Sequence, residues 1–107
     1  MNLMKLKGNN VQVAGLRSEL IIAIMIAQEV YREYGYDFII TSITDGKHSK
    51  TSLHYSGAAV DLRINHIDTK QELDEIVLLI MDALNIDYDV VLEKTHIHIE
   101  FQPKRRG

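Results

Sequence analysis

Residues 95–102 read Thr95-His96-Ile97-His98-Ile99-Glu100-Phe101-Gln102 and alternate strictly. On an extended chain successive side chains point to opposite faces. Ile97, Ile99 and Phe101 therefore share one face, and His96, His98 and Glu100 share the other. The first face is fit for a core. The second carries two imidazoles and a carboxylate. Just upstream, Tyr88 to Glu93 reads as another short strand, with Glu93-Lys94 at a tight turn between the two. A hairpin apolar on one side only needs a covering layer on that side.

The covering layer is found by periodicity. Ser18 to Tyr34 predicts a helix, with Leu20, Ile21, Ile24, Ala27, Val30, Tyr31 and Tyr34 at helical spacing. Ser18 is the expected N-cap, Glu19 suits the positive helix end, and Gly35 is a natural stop. Ile22, Met25 and Ile26 add apolar character on further faces, which predicts a helix buried at the centre of the core. Thr69 to Leu84 predicts a second helix. Thr69 and Glu72 have capping-box spacing, and Leu73, Ile76, Val77, Ile80 and Leu84 form one clean stripe. Phe38 to Ile43 and Ala58 to Ile64 read as strands. Thr44 to Ser52 reads as a polar loop with Asp45-Gly46 as its turn. In the second of these strands Val60, Leu62 and Ile64 face one way, and Ala59, Asp61 and Arg63 the other. The expected fold class is α+β: a small antiparallel sheet with helices packed on one face.

Length and composition fit this picture. The chain has 107 residues, 46% hydrophobic and 25% charged, which is ordinary for one globular domain. Repeats, low-complexity tracts and Gly/Ser linkers are absent, so residues 1–107 read as one domain with a short basic tail at 103–107. The formal charge is −3, and the basic cluster Lys104-Arg105-Arg106 is too small to make a nucleic-acid face. Without cysteine there are no disulfides, no thiolate zinc sites and no thiol catalysis. The longest apolar run, Leu20 to Ala27, is too short to span a bilayer and lacks the setting of a signal peptide.

The polar stripes carry the chemistry. Asp61 and Arg63 lie just after His54, while His96, His98 and Glu100 lie just after Glu93. Solvation alone calls for Thr, Lys, Glu and Ser on a strand face, not for two histidines at alternate positions. A catalytic zinc takes three nitrogen or oxygen ligands and keeps a position open. Side chains two apart on a strand stand roughly 6–7 Å apart on the same side, so both reach one cleft. His66, in the turn before the second helix, reads instead as an ordinary surface or core histidine.

The block Ser52-Leu53-His54-Tyr55-Ser56-Gly57-Ala58-Ala59-Val60-Asp61 resembles the Ser-x-His-x-x-Gly-x-Ala-x-Asp signature of zinc D-alanyl-D-alanine carboxypeptidases and L-alanyl-D-glutamate endopeptidases. These share a fold with the hedgehog signalling domain. Glu93-Lys94-Thr95-His96-Ile97-His98-Ile99-Glu100 resembles the second block of that family, and Ile40-Thr41-Ser42 resembles the strand leading into the first. The blocks resemble those of small phage-encoded members of the family. The resemblance implies one Zn2+ held by His54, Asp61 and His98, with Glu93 as general base and His96 stabilising the oxyanion. Some members place the base three residues before the ligand, which would make His96 the third ligand. The run His98-Ile99-Glu100 favours His98, with Glu100 or a backbone carbonyl orienting its ring. Asp45, His48, Ser52 and Arg63 are the candidate substrate contacts. An arginine that many relatives place after the Thr-Ser strand end is missing from Ile43-Thr44-Asp45-Gly46-Lys47, and Arg63 or Lys47 is its candidate substitute.

The resemblance implies a zinc-dependent peptidase cutting a bond next to a D-amino acid in peptidoglycan stem peptides. The expected partner is that peptide alone, with no nucleic acid or membrane, and the chain acting as a monomer. With no export signal visible, delivery to the cell wall would need a holin-like partner or a virion. The rival readings are a non-catalytic metal-binding module of the same fold, such as a phage structural or assembly protein, and a simple α+β binding protein.

Overall fold

The computed structural model describes residues 17–44 and 58–103, with the backbone of Lys5–Leu6. The elements in chain order are β1 (Lys5–Leu6), α1 (Ser18–Glu33), β2 (Ile39–Thr44), β3 (Ala58–Arg63), α2 (Lys70–Ala83), β4 (Tyr88–Leu92) and β5 (His96–Phe101). The fold is α+β. The sheet runs β1-β2-β3-β5-β4. Strands β2 to β5 pair antiparallel throughout. The two-residue β1 adds to β2 in parallel, an edge that the apolar pattern did not announce.

Alternation divides the sheet into two faces. Ile40, Val60, Leu62, Ile97 and Ile99 are all at most 1% exposed and meet Leu20, Ile24, Tyr31, Ile76 and Ile80 of the helices. Burying such side chains is the main stabilising term, about 1.5–3 kcal/mol for each relative to exposure. Asp61, Arg63, His96, His98 and Glu100 are partly exposed on the opposite side.

The helix ends follow local chemistry. At α2, Thr69 accepts from the backbone N–H of Glu72 at 3.1 Å, the first leg of a capping box. The Glu72 carboxylate in turn accepts from the Thr69 hydroxyl at 3.3 Å and from the Tyr36 hydroxyl at 2.6 Å. At the end of α1, Gly35 has φ +79°. Tyr36 N–H bonds Tyr31 C=O and Gly35 N–H bonds Arg32 C=O, which is a Schellman ending.

Two expectations for α1 are corrected. Its N-cap is Arg17 rather than Ser18, with no side-chain cap. The N–H groups of Leu20 and Ile21 both bond Arg17 C=O, so the helical ladder begins one residue earlier and Ser18 lies inside it. Nor is α1 buried all round. Ile22 is 50% and Met25 62% exposed. The sheet covers one side of α1 and α2 another, and among the described residues no further layer covers the third.

Candidate metal centre

The β3–β5 ladder sets Asp61 opposite His98 and Arg63 opposite His96. The four side chains share the face away from the helices, so register alone brings them together. His98 Nδ1 lies 2.7 Å from Asp61 Oδ1. His96 Nε2 lies 3.7 Å from the same oxygen. One ligand atom from each of Asp61, His96 and His98 falls within 4.8 Å of the others. This group can hold a metal ion. Its side chains are a quarter to a third exposed, so a ligand can reach them from solvent.

Local structure fixes each member. The register of β2 against β3 slips between Ile40 and Ser42, leaving Thr41 as the extra residue of a β-bulge. Bulges re-aim side chains and backbone beside them. Here Thr41 donates its hydroxyl to Asp61 C=O at 3.3 Å. From the other side of the sheet, the buried Tyr31 hydroxyl donates to Arg63 C=O at 2.8 Å. The two anchors fix the β3 backbone on either side of Leu62.

His98 is gripped at both ring nitrogens. Nε2 lies 2.9 Å from Glu100 Oε1. Glu100 also accepts from the Gln102 side-chain amide. Burial of the ring works against the charged imidazole. The hydrogen bonds and negative charges of Glu100 and Asp61 outweigh it, and the His98 pKa stands above its ordinary value. His96 Nδ1 is 3.0 Å from Thr95 Oγ1, which sets that ring's orientation.

The remaining expected site residues divide into three sets. Glu93 lies exposed just before the β4–β5 turn, where its N–H donates to His96 C=O at 2.8 Å. Arg63 lines a cleft of about 420 Å³ that also includes His96. His54, Asp45, His48 and Ser52 lie outside the described residues. The structure thus brings Asp61, His96 and His98 into one group. The position of Thr41 was not foreseen, since a bulge shows only when two strands are paired. His66 stands apart, with Nε2 2.8 Å from Asp37 C=O and its ring edge-on to Tyr36.

The donor set suits a borderline divalent ion. Two imidazoles and one carboxylate without thiolate are ligands of the kind zinc takes in catalytic sites. Among the described residues no helix is long and apolar enough to cross a membrane. No family model matches the chain, and no curated protein or solved structure matches it.

Proposed function

We propose that the chain is a zinc-dependent peptidase that hydrolyses a peptide bond next to a D-amino acid in peptidoglycan stem peptides, with the hedgehog/DD-peptidase type of fold. The observation that carries this reading is the convergence of Asp61, His96 and His98 on one open sheet face. It is joined by the resemblance of residues 52–61 and 93–100 to the two family blocks.

Asp61 and His98 would hold the ion, together with His54 from the first block. A zinc ion held there would supply a Lewis acid for the scissile carbonyl and would lower the pKa of a water molecule. The carboxylate of Glu93 takes a proton from the attacking water and returns it to the leaving amine. His96 donates from its ring to the oxygen on which negative charge develops, a role worth ~3–4 kcal/mol in comparable sites. Glu100 holds the His98 ring from behind, as partners of metal-bound histidines do.

The test combines metal analysis with digestion. Purified protein is expected to bind one zinc per chain and to release fragments from muropeptides, read by mass spectrometry. Glu93→Gln is expected to keep the zinc and lose cleavage. A zinc-loaded wild-type protein that leaves muropeptides intact would overturn the reading.

A further inference from the structure

We infer that the outer side of the helical layer, where α1 lies beside α2, is a docking groove for a basic amphipathic helix of a partner protein. This surface is separate from the candidate metal centre and does not depend on the peptidase reading. The helices and the Asp61–His96–His98 group lie on opposite sides of the sheet, so an occupant of the groove leaves that group open.

Each helix carries a second stripe away from the sheet. On α1, Ile22, Met25, Ile26, Glu29 and Glu33 recur at helical spacing, and on α2 Leu78, Leu79 and Asp82 do the same. Met25 is 62% and Leu78 63% exposed. Single apolar side chains on a surface need no explanation, whereas a contiguous set marks an interaction site. Here the two stripes border one open groove of about 310 Å³. Its apolar lining is Ile26, Val30, Leu79 and Ala83. Its charged lining is Glu29, Glu33 and Asp82, so every charge that faces the groove is negative.

Charge chooses the occupant. The cations of the two helices are Arg32 and Lys70. Arg32 pairs with Glu29 at 2.6 Å and Lys70 with Asp74 at 2.9 Å. Glu33 and Asp82 make no ion pair among the described residues. A second copy docked by the same face would set carboxylates against carboxylates, and an anionic lipid surface would meet the same repulsion. The run Lys104-Arg105-Arg106 of this chain is basic but has no apolar side chain for the lining. A helix with apolar residues at i, i+3, i+4 and i+7, flanked by lysine or arginine, meets both demands. Its apolar face fills the groove while its cations reach Glu33 and Asp82.

The experiment titrates the full-length chain with a synthetic peptide, leucine at i, i+3, i+4 and i+7 and lysine elsewhere, blocked at both ends. The comparisons are the same peptide with glutamate for lysine, a shuffled lysine peptide without an apolar face, and vesicles of phosphatidylcholine with phosphatidylglycerol. Fluorescence anisotropy gives affinity, backbone amide NMR shifts give the place, and sedimentation gives the oligomeric state. The lysine peptide is expected to bind roughly ten-fold or more tightly than either other peptide, and less tightly as salt is added. It should shift the amides of Met25, Glu29, Leu79 and Asp82 and leave those of His96 and His98 in place. Leu79→Ser should weaken this binding. Glu33→Lys combined with Asp82→Lys changes exposed charges alone and should transfer the preference to the glutamate peptide. That charge-reversed protein carries the test if Leu79→Ser fails to fold. Equal binding of the lysine and glutamate peptides, no binding, shifts centred elsewhere, or an unchanged preference after charge reversal would overturn the inference. Self-association that shifts the same amides would give the groove to a second copy, and vesicle binding that shifts them would give it to a lipid surface. Either result also overturns it.

Discussion

His98 Nδ1 and Asp61 Oδ1 stand 2.7 Å apart, across the β3–β5 ladder that makes these residues direct partners. The other nitrogen of the ring is held by Glu100 at 2.9 Å. Carboxylates only accept, so in this arrangement both ring nitrogens donate. A metal would have to replace one of these protons, because a ligating nitrogen must be free of its own. Asp61→Ala removes a donor outright and is expected to abolish tight zinc binding. Glu100→Gln leaves every candidate donor in place but weakens the hold on the ring, and should cost about 10–100-fold in zinc affinity. Titration calorimetry on both variants checks the order. A Glu100→Gln protein that binds zinc like the wild type would show that Glu100 has no positioning role.

Tyr31 ties the core to the functional edge. Its ring meets Phe38 edge-on with centroids 5.3 Å apart, while its hydroxyl reaches Arg63 C=O. Burial raises the pKa of this phenol, so it stays a neutral donor across the working range. Tyr31→Phe keeps the ring and removes the bond. The expected loss is about 1–3 kcal/mol, the cost of leaving a partner unsatisfied. Urea unfolding measures it. A Tyr31→Phe protein as stable as the wild type would mean that the carbonyl finds another donor.

The strictly alternating run 95–102 and the stripe of α2 that carries Ile76, Val77 and Ile80 were legible because each repeats at a fixed period, although Leu78, Leu79 and Met81 leave further apolar side chains of α2 exposed. The faces of Asp61, His96 and His98 followed from the same alternation. Their proximity did not, because it depends on the β3–β5 register, and register is a property of two strands. Thr41 shows the same limit, since nothing in Ile40-Thr41-Ser42 announces a bulge. The reading of α1 erred for a different reason. Ile22 and Met25 have core chemistry but lie on a side that neither the sheet nor α2 covers.

That difference can be measured. Leu62 is fully buried between the sheet and helices, whereas Ile22 is half exposed. Leu62→Ala should lose about 2–5 kcal/mol through lost burial and the cavity left behind. Ile22→Ala leaves no enclosed cavity and should stay within about 0.5 kcal/mol of the wild type. Chemical denaturation of the two variants separates the cases. A loss at Ile22 comparable to that at Leu62 would mean that this side of α1 is covered in solution.

The junction of the two helices makes stability depend on pH. Tyr34, the C-cap of α1, donates its hydroxyl to Glu75 of α2 at 2.6 Å. That bond, helped by Gln71, holds the Glu75 carboxyl below its ordinary pKa of 4.5. The same bond is the largest cause that lifts Tyr34 from 10.0 to about 12. The signs are opposite at the two ends of the scale. A carboxylate with a lowered folded pKa contributes above 4.5, and its contribution disappears as pH falls through the lower folded value. A phenol with a raised folded pKa contributes fully below 10.0 and loses its contribution as pH rises towards about 12. Tyr34→Phe should therefore be less stable than the wild type near neutrality, with the gap narrowing at both extremes. Thermal melts of the two proteins from acid to strongly alkaline pH test this. A gap that stays constant below pH 4.5 would show that the Tyr34–Glu75 bond does not depend on the charge of Glu75.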